Sequence, residues 1–304
     1  MSLALLFSGQ GTQHSAMLPW LETDPAAGPA LANMAATLGE NWRARLMDDT
    51  WATANHVAQP LITGVCLAAW SALANYLPRP AVMAGYSVGE LAAFSAAGLF
   101  NVDEAMQLAN QRAKLMGDCA AVEPGGLLSV GGVSAAKVEA MGREFGLHIA
   151  IRIGVDRCIL GGKLTSLEAA TTSLIAAGAV VKRLRVHLAS HTPAMALASV
   201  EFGKVISALP WQGSQTLIVC NVDGVVRRSQ ALLKDALSQQ ISHTVEWSRC
   251  MATVAERLPR CVLEIGPGNI LTKMWSTAFP EIPVRSIDEF QSVRAICDWS
   301  HRHL

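Results

Sequence analysis

Residues 85–89 (Gly-Tyr-Ser-Val-Gly) place a serine between two glycines at a spacing that suits nucleophilic chemistry. The segment stands between a short apolar run, typical of a strand, and a pattern typical of a helix. A Gly-x-Ser-x-Gly turn in that setting exposes the serine hydroxyl at the sheet edge, and its glycines avoid clashes with the adjacent strand and helix. Ser87 would then lie at a helix N-terminus, where free N–H groups and the helix dipole favour developing negative charge. We therefore predict a nucleophile at Ser87; the alternative is a chance match in a Gly- and Ala-rich chain.

A glycine-rich turn directly follows the first predicted strand, at residues 7–13 (Phe-Ser-Gly-Gln-Gly-Thr-Gln). It is not a Walker nucleotide loop, because no Lys-Ser/Thr follows, and His14 stands where a dinucleotide fingerprint has its third glycine. Backbone N–H groups at this edge of an open α/β sheet are placed to bind a ligand. The N–H groups of Gln10 and Val88 could together form an oxyanion hole. A purely structural turn is the alternative.

A serine nucleophile needs a general base, and His191 is the candidate. It lies in residues 188–193 (Leu-Ala-Ser-His-Thr-Pro), where the chain re-enters its main domain, and domain junctions often form clefts. The sequence around it offers no evident acidic partner. A hydrolase triad in the order Ser–Asp–His would need a set such as Ser87, Asp288 and His301, and we expect the C-terminal segment that carries His301 to fray. A structural loop histidine is the alternative.

Arg112 stands within an otherwise mainly apolar helical pattern. The planar guanidinium could bind both oxygens of a substrate carboxylate. The alternatives are a solvated helix face and an ion pair with a nearby acid.

Composition narrows the class of protein. The chain has 304 residues, of which 51% are hydrophobic and 16% charged, and its formal net charge is zero. A disordered chain is therefore excluded, and neither a nucleic-acid footprint nor a polybasic membrane patch is expected. The apolar stretch 62–77 is interrupted by polar residues and predicts a buried helix. The seven scattered cysteines form no disulfide or zinc pattern, which favours a reducing, cytoplasmic setting without a metal.

The pattern of elements predicts an α/β fold with a doubly wound, hydrolase-like parallel sheet. The clearest elements are a strand at Leu3–Phe7, a helix at Pro60–Leu77 and a helix from Asp103, its expected cap, to Met116. Residues 124–187 follow the order βαββαβ, which indicates an inserted ferredoxin-like subdomain. Residues 1–123 and 188–304 would then form the catalytic domain.

Together these segments resemble the malonyl-CoA:acyl carrier protein transacylases over nearly the whole chain. The glycine-rich turn and the serine turn are similar to that family's oxyanion loop and nucleophile turn. Further similar blocks lie at residues 111–116 (Gln-Arg-Ala-Lys-Leu-Met), 189–191 (Ala-Ser-His), 221–223 (Asn-Val-Asp), 245–247 (Val-Glu-Trp) and 264–268 (Glu-Ile-Gly-Pro-Gly).

The resemblance implies that Ser87 is acylated, that His191 is its base and that Arg112 holds the malonyl carboxylate. It also implies an oxyanion hole from the N–H groups of Gln10 and Val88. In this family a main-chain carbonyl orients the histidine, and the resemblance puts that carbonyl at Glu246. No cofactor is implied beyond malonyl-CoA, and the partner is an acyl carrier protein that bears a CoA-like arm.

Three residues depart from the family pattern. Tyr86 stands where members of fatty-acid synthesis usually have His, Glu246 replaces a usual Gln, and residues 151–153 (Ile-Arg-Ile) replace an Asn-containing stretch. The Tyr form of the turn, with residues 188–193, is most similar to the malonyl transferase (epsilon) subunit of malonate decarboxylase. The expected partners are therefore that system's carrier and its other subunits; a transacylase of fatty-acid or polyketide synthesis and a serine thioesterase or esterase are the alternatives.

Overall fold

Residues 2–304 are described in a computed structural model. The strands, in chain order, are β1 (Leu3–Phe7), β2 (Val82–Gly85), β3 (Gly125–Gly131), β4 (His148–Arg152), β5 (Arg157–Lys163), β6 (Val180–Arg183), β7 (Leu217–Val219), β8 (Val226–Arg227), β9 (Cys261–Ile265) and β10 (Val284–Ser286). The helices are α1 (Gly28–Leu38), α2 (Trp42–Arg45), α3 (Asp49–Thr53), α4 (Asn55–Leu73), α5 (Gly89–Ala96), α6 (Val102–Val122), α7 (Ala135–Glu144), α8 (Leu164–Ala176), α9 (Ala196–Ala208), α10 (Gln230–Gln239), α11 (Trp247–Ala255), α12 (Ile270–Ala278) and α13 (Val293–His303).

Six strands form the main sheet, in the order β10-β9-β1-β2-β7-β8. All neighbours pair in parallel except β8, which is antiparallel to β7. The central strand β1 is a continuous apolar run and every residue in it is buried, as expected for a strand covered on both faces. The α/β fold with a parallel core is confirmed.

A second, antiparallel sheet has the order β4-β5-β3-β6. The chain forms it as β3-α7-β4-β5-α8-β6, which is the predicted βαββαβ order. Helices α7 and α8 pack on one face around Val138, Leu160 and Leu167. The boundaries 124–187 for a separate subdomain remain a prediction.

The opposite face of the second sheet joins the main core through residues such as Leu127 and Ile159. Backbone hydrogen bonds also join the second sheet to the segment before α11: the N–H of Arg152 donates to the carbonyl of Val245, and the N–H of Val245 donates to that of Ala150, both at 2.9 Å. This contact fixes the second sheet beside the carboxyl edge of the main sheet.

Helix α4 is the one described helix long and apolar enough to cross a membrane, and 83% of its most apolar window is buried inside the protein. It is a core helix, as predicted, but it begins at Asn55, so Pro60 lies inside it and not in its first turn. The buried residues Val57 and Ala58 extend its apolar surface upstream of the proline.

Helix α6, which carries Arg112, is longer than predicted and begins one residue earlier. Its cap is Asn101, not Asp103: the Asn101 side chain accepts from the N–H of Glu104 at 2.9 Å, and the Glu104 carboxylate accepts from the N–H of Asn101 at 2.8 Å. This reciprocal pair satisfies two N–H groups that the helix leaves open, so Asn101 is favoured over Asp103.

The C-terminal segment does not fray. Helix α13 continues to His303, and its inner face buries Ile296, Cys297 and Trp299. The prediction of a frayed end was wrong because these apolar residues pack on the core.

Candidate active site

The serine turn connects β2 to α5. Ser87 has a φ of 56°, in the left-handed region, which costs about 1–3 kcal/mol for a residue other than glycine. The flanking glycines are required by space: a Cβ on Gly85 would lie 2.2 Å from the backbone of Gly89, and a Cβ on Gly89 would lie 2.5 Å from the carbonyl oxygen of Phe7. The turn therefore fixes Ser87 at the carboxyl edge of the main sheet.

Ser87 and His191 are in direct contact, with 2.7 Å between Oγ and Nε2. The other ring nitrogen of His191, Nδ1, lies 2.5 Å from the carbonyl oxygen of Gln240. A carbonyl only accepts, so Nδ1 carries the proton and Nε2 is left to accept the hydroxyl proton of Ser87. This arrangement suits His191 to act as the general base of the pair.

Glu246 does not orient the histidine. Its carbonyl accepts the N–H of Cys250 at 2.9 Å in the first turn of α11, and its carboxylate pairs with Arg152 at 3.2 Å. The sequence expectation placed the orienting carbonyl six residues too late. The structure assigns that contact to Gln240.

Burial controls the protonation of His191. The ring is 1% exposed, and desolvation, together with the positive charge of Arg112, lowers its pKa to about 3, although the Gln240 carbonyl acts in the opposite direction. The imidazole is therefore neutral near pH 7, which is the form that can accept a proton.

Arg112 is buried in the same pocket as Ser87 and His191, with 1% of its surface exposed. Its Nη1 donates to Gln59 Oε1 at 2.7 Å and its Nη2 to Gln240 Oε1 at 3.2 Å, while Nε has no partner among the described residues. Desolvation lowers the pKa of Arg112 to about 10, so it stays charged at neutral pH.

Both structural alternatives for Arg112, a solvated helix face and an ion pair, are therefore excluded. Arg112 is buried, and no acid among residues 2–304 is in salt-bridge contact with it. A buried cation held only by neutral amide oxygens has no counter-ion in contact with it. A carboxylate that enters the pocket would supply one.

The glycine-rich turn lies against the serine turn. A Cβ on Gly9 would lie 2.6 Å from the carbonyl oxygen of Tyr86, so only glycine permits this close approach. Gln10 lines the pocket beside Ser87. Within the described part of the chain, the N–H groups of Gln10 and Val88 donate to no acceptor, which leaves both open to an oxyanion.

The hydrolase triad Ser87–Asp288–His301 is not formed. The Asp288 carboxylate accepts from His14 Nε2 at 2.7 Å and from the N–H groups of Leu18 and Gly268. Because Asp288 is engaged there and His301 lies on the exposed side of α13, neither can serve Ser87.

Three polar residues of the site were missed as functional candidates. Gln59 and Gln240 hold Arg112, and Asn221, part of a similar block in sequence, binds the serine turn. The two glutamines are far apart in sequence and no spacing links them to Arg112, so only the fold brings them together. The position of Asn221, two residues after the buried strand β7, was a signal that could have been used.

The pocket has a volume of about 710 Å³ and lies between the second sheet and the turns at the carboxyl edge of the main sheet. The second sheet and the residue that follows β4 contribute buried apolar side chains to the pocket: Leu127, Ile151, Ile153 and Ile159. β5, β6 and the segment after β6 contribute four exposed cations to the same pocket: Arg157, Lys182, Arg183 and Arg185. Of these, Arg185 is paired with Asp49 at 2.5 Å. We call these four residues the basic rim.

A parallel α/β core that holds a Ser–His pair, open backbone N–H groups and a buried arginine is the arrangement expected of an acyltransferase. The family model for the acyl transferase domain matches residues 4–301. The malonyl CoA-acyl carrier protein transacylase of Mycobacterium bovis is 31% identical over 290 residues, with 94% of this chain and 96% of the relative covered. The chain belongs to the malonyl-CoA–acyl carrier protein transacylase family.

Solved structures agree with the fold. The malonyl-CoA:acyl carrier protein transacylase of Xanthomonas oryzae pv. oryzae superposes with a TM-score of 0.91 at 26% identity, covering 98% of this chain and 99% of the other. A malonyl-transacylase solved in complex with a type II polyketide-synthase acyl-carrier protein also has a TM-score of 0.91, at 24% identity and with 98% and 99% coverage. At that identity the second match shows the fold alone.

Proposed function

We propose that this enzyme transfers a malonyl group from malonyl-CoA to the thiol of an acyl carrier protein through an ester on Ser87. The observation that carries the proposal is the buried cation of Arg112, which shares a pocket with the Ser87–His191 pair and is held only by neutral oxygens. An esterase or thioesterase of neutral acyl groups has no use for such a cation, because it would leave the charge unpaired.

The first half-reaction acylates the serine. His191 Nε2 takes the proton of Ser87 as Oγ attacks the thioester carbonyl, and the N–H groups of Gln10 and Val88 stabilise the oxyanion. The tetrahedral intermediate collapses, the C–S bond breaks, and His191 returns the proton to the CoA sulfur. Each oxyanion donor is typically worth about 10²–10³ in rate, so the two backbone N–H groups matter as much as the side chains.

The second half-reaction reverses these steps with a different thiol. The carrier thiol gives its proton to His191 and attacks the malonyl ester, and Ser87 recovers its hydroxyl when the ester bond breaks. No redox or metal step occurs in either half, and the family needs no cofactor beyond its substrates. Water must be kept from the ester, and the apolar wall of the second sheet supports that exclusion.

Selection of malonyl over neutral acyl groups falls to Arg112. The planar guanidinium can bind both oxygens of the free carboxylate, and a charge-assisted hydrogen bond contributes roughly 1.5–3 kcal/mol in proteins. Gln59 and Gln240 fix its plane before substrate enters, so little ordering is left for the binding step.

The basic rim suits the phosphates of CoA and of a carrier arm. A thioester at Ser87 would place the pantetheine chain along the apolar wall and its phosphate end toward Arg157, Lys182 and Arg183. The chain as a whole has no net charge, so this local excess of cations favours a phosphate-bearing ligand.

The acceptor class follows from the relatives. They are transacylases that act with acyl carrier protein, which supports a carrier of fatty-acid or polyketide synthesis as the acceptor. The carrier subunit of malonate decarboxylase is the second candidate, together with that complex's other subunits as partners. Tyr86 favours it: this residue departs from the usual His, lines the pocket, and packs edge-on against Trp247 with 5.0 Å between ring centroids.

A cytoplasmic site of action is part of the proposal. All seven cysteines are free in the structure, and the carrier proteins and CoA that the reaction needs are cytoplasmic substrates.

The proposal is tested by assaying malonyl transfer with purified enzyme, malonyl-CoA and one carrier protein at a time. The carriers are a phosphopantetheinyl acyl carrier protein and a malonate decarboxylase carrier with its phosphoribosyl arm, and intact-mass spectrometry measures malonyl transfer to each. A higher kcat/KM for the first supports the transacylase of fatty-acid or polyketide synthesis, and a higher value for the second supports the decarboxylase. Transfer to neither, with release of free malonate, would instead identify a thioesterase. Ser87→Ala is the control.

A further inference from the structure

Asn221 lies beneath the serine turn, two residues after β7 ends, and is fully buried. Its side-chain Oδ1 accepts the N–H of Ser87 at 2.9 Å, and its Nδ2 donates to the carbonyl of Gly85 at 2.6 Å. One amide group therefore binds the backbone on both sides of Tyr86.

These bonds continue the sheet where the strands cannot. β2 and β7 pair in parallel up to Ala84 and Val219, but β2 then turns sharply into α5. A peptide in a continued strand would offer one N–H and one carbonyl to its neighbour. The Asn221 side chain offers the same donor and acceptor to Gly85 and Ser87, so it replaces the missing rung of the ladder.

The backbone of Asn221 is held in turn. Its N–H donates to Glu90 Oε1 at 2.8 Å, and its carbonyl accepts the N–H of Glu246 at 2.8 Å. Glu90 is in the first turn of α5 and is fully buried. Asn221 is thus tied both to α5, which begins two residues after Ser87, and to the segment that precedes α11.

We propose that Asn221 is a positioning residue for the acyl transfer, because its amide holds Ser87 in the left-handed conformation that directs Oγ toward His191. Asn221 does not form part of the pocket wall and acts through Ser87 alone. Because the adjacent N–H of Val88 belongs to the same turn, Asn221 sets the nucleophile and one oxyanion donor together. The inference rests on Ser87 as the nucleophile of the proposed function.

The role predicts a loss confined to the chemical step. In Asn221→Ala, the turn is released and the rate constant for acylation of Ser87 should fall about 10²-fold, as expected when a reacting group is misplaced by about 1 Å. The binding of malonyl-CoA should stay within about threefold of normal, since Arg112 and the pocket wall are unchanged. Binding is measured by calorimetry on Ser87→Ala with and without Asn221→Ala.

The control is Thr253→Val. Thr253 Oγ1 donates to the carbonyl of Gly224 at 2.6 Å, so it fastens the same loop after β7 without touching the serine turn. Thr253→Val should lose stability but keep the acylation rate. An equal loss of rate in Thr253→Val and Asn221→Ala, or a loss that lies only in binding, overturns the proposal.

Asn221→Asp keeps the shape of the side chain and serves if the alanine variant does not fold. The Asp carboxyl can donate a hydrogen bond to the carbonyl of Gly85 only when it is protonated. In Asn221→Asp, the rate of Ser87 modification by phenylmethanesulfonyl fluoride, normalised to the amount of folded protein, should therefore rise as the pH is lowered. Wild-type enzyme should show no such rise. A rise in rate at low pH in both proteins would contradict the positioning role of Asn221. The reagent carries no malonyl group, so this experiment tests the role of Asn221 even if malonyl-CoA is not the substrate. If Ser87→Ala is modified at an unchanged rate, Ser87 is not the nucleophile.

Discussion

Ser87 and His191 both have left-handed backbone conformations, with φ of 56° and 61°, and their side chains meet at 2.7 Å. Two non-glycine residues in this sparsely populated region, in contact with each other, indicate strain that the surrounding fold maintains for the sake of the site. The strain on Ser87 is held by its two glycine neighbours and Asn221. That on His191 is held by its own N–H, which donates to the carbonyl of Ile241 at 2.8 Å, and by the Gln240 carbonyl on its ring.

Ser87 should carry the malonyl group during turnover. Brief exposure of the enzyme to malonyl-CoA is expected to add the mass of one malonyl group, because His191 activates the hydroxyl and the open N–H groups stabilise the intermediate. Intact-mass spectrometry with peptide mapping locates the adduct. Ser87→Ala should show none, and an adduct that persists in this variant would place the nucleophile at another residue.

The reactivity of Ser87 should not fall in the pH range in which an ordinary histidine is protonated. An unperturbed His has a pKa of about 6.5, but burial and the Arg112 charge lower the pKa of His191 to about 3. Because the neutral form is the base, the rate of modification by phenylmethanesulfonyl fluoride should stay level as the pH drops through about 6.5.

Removing the positive charge of Arg112 tests the cause of the low pKa of His191. In Arg112→Met, the repulsion of the imidazolium is lost while its burial remains, so the pKa of His191 should rise and the acidic fall in rate should move toward neutral pH. A wild-type profile that already bends near the ordinary histidine pKa contradicts this account.

Gln240 contacts three residues: its carbonyl faces the ring of His191, its side-chain Oε1 accepts from Arg112, and its Nε2 donates to the carbonyl of Ser87 at 3.4 Å. A substitution can separate the backbone contact from the side-chain contacts. Gln240→Ala keeps the carbonyl that faces His191 but removes the side-chain oxygen that holds Arg112. We expect kcat/KM for malonyl-CoA to fall about tenfold, since a buried charged donor loses one acceptor. Modification of Ser87 by the neutral sulfonyl fluoride should change little, because the bond that Gln240 Nε2 makes to the Ser87 carbonyl is long, at 3.4 Å, and therefore weak. Gln239→Ala, at a half-buried neighbouring glutamine whose side chain bonds to Asp235, is the matched control. Equal losses in both assays would mean that Gln240→Ala has displaced His191.

The sequence predicted the parts of the site that depend on local sterics. The strand Leu3–Phe7 and the serine turn follow from short runs of residues, and the structure has β1 with the predicted bounds. The orienting contact of His191 was placed wrongly because its acceptor is a backbone carbonyl, which every residue possesses and no side chain marks. The sequence did not determine whether Arg112 is solvated or buried, because its helical pattern fits both environments equally. Gln59 and Gln240, which contact it, are brought beside it only by the fold.

The basic rim should recognise phosphate. Charge reversal in the double variant Lys182→Glu/Arg183→Glu is expected to raise KM for malonyl-CoA more than tenfold and to leave malonyl-pantetheine, which has no phosphate, nearly unaffected. Screening weakens exposed charges, so the difference should shrink as salt is added. Steady-state kinetics with both thioesters measure the effect. Lys204→Glu, on α9 away from the pocket, is the control for net charge, and a similar effect there would make the rim's contribution non-specific.

Arg112 should decide between malonyl and neutral acyl groups. Malonyl differs from acetyl by one carboxylate, and Arg112 is the buried cation that lines the pocket with Ser87. Two charge-assisted hydrogen bonds of roughly 1.5–3 kcal/mol each mean that Arg112→Ala should lower kcat/KM for malonyl-CoA by a factor of about a hundred or more. Acetyl-CoA has no group for this contact, so its kcat/KM should stay unchanged or improve as an unpaired buried charge is removed.

The lysine variant refines the same test. Arg112→Lys restores a positive charge but not the planar pair of donors, and its shorter reach leaves Gln59 or Gln240 without a partner, so it should recover only part of the malonyl activity. Steady-state kcat/KM for both thioesters in all three proteins gives the comparison, with thermal melting to confirm that each is folded. If malonyl-CoA and acetyl-CoA lose activity by the same factor, Arg112 supports the structure of the pocket and another group must select the substrate.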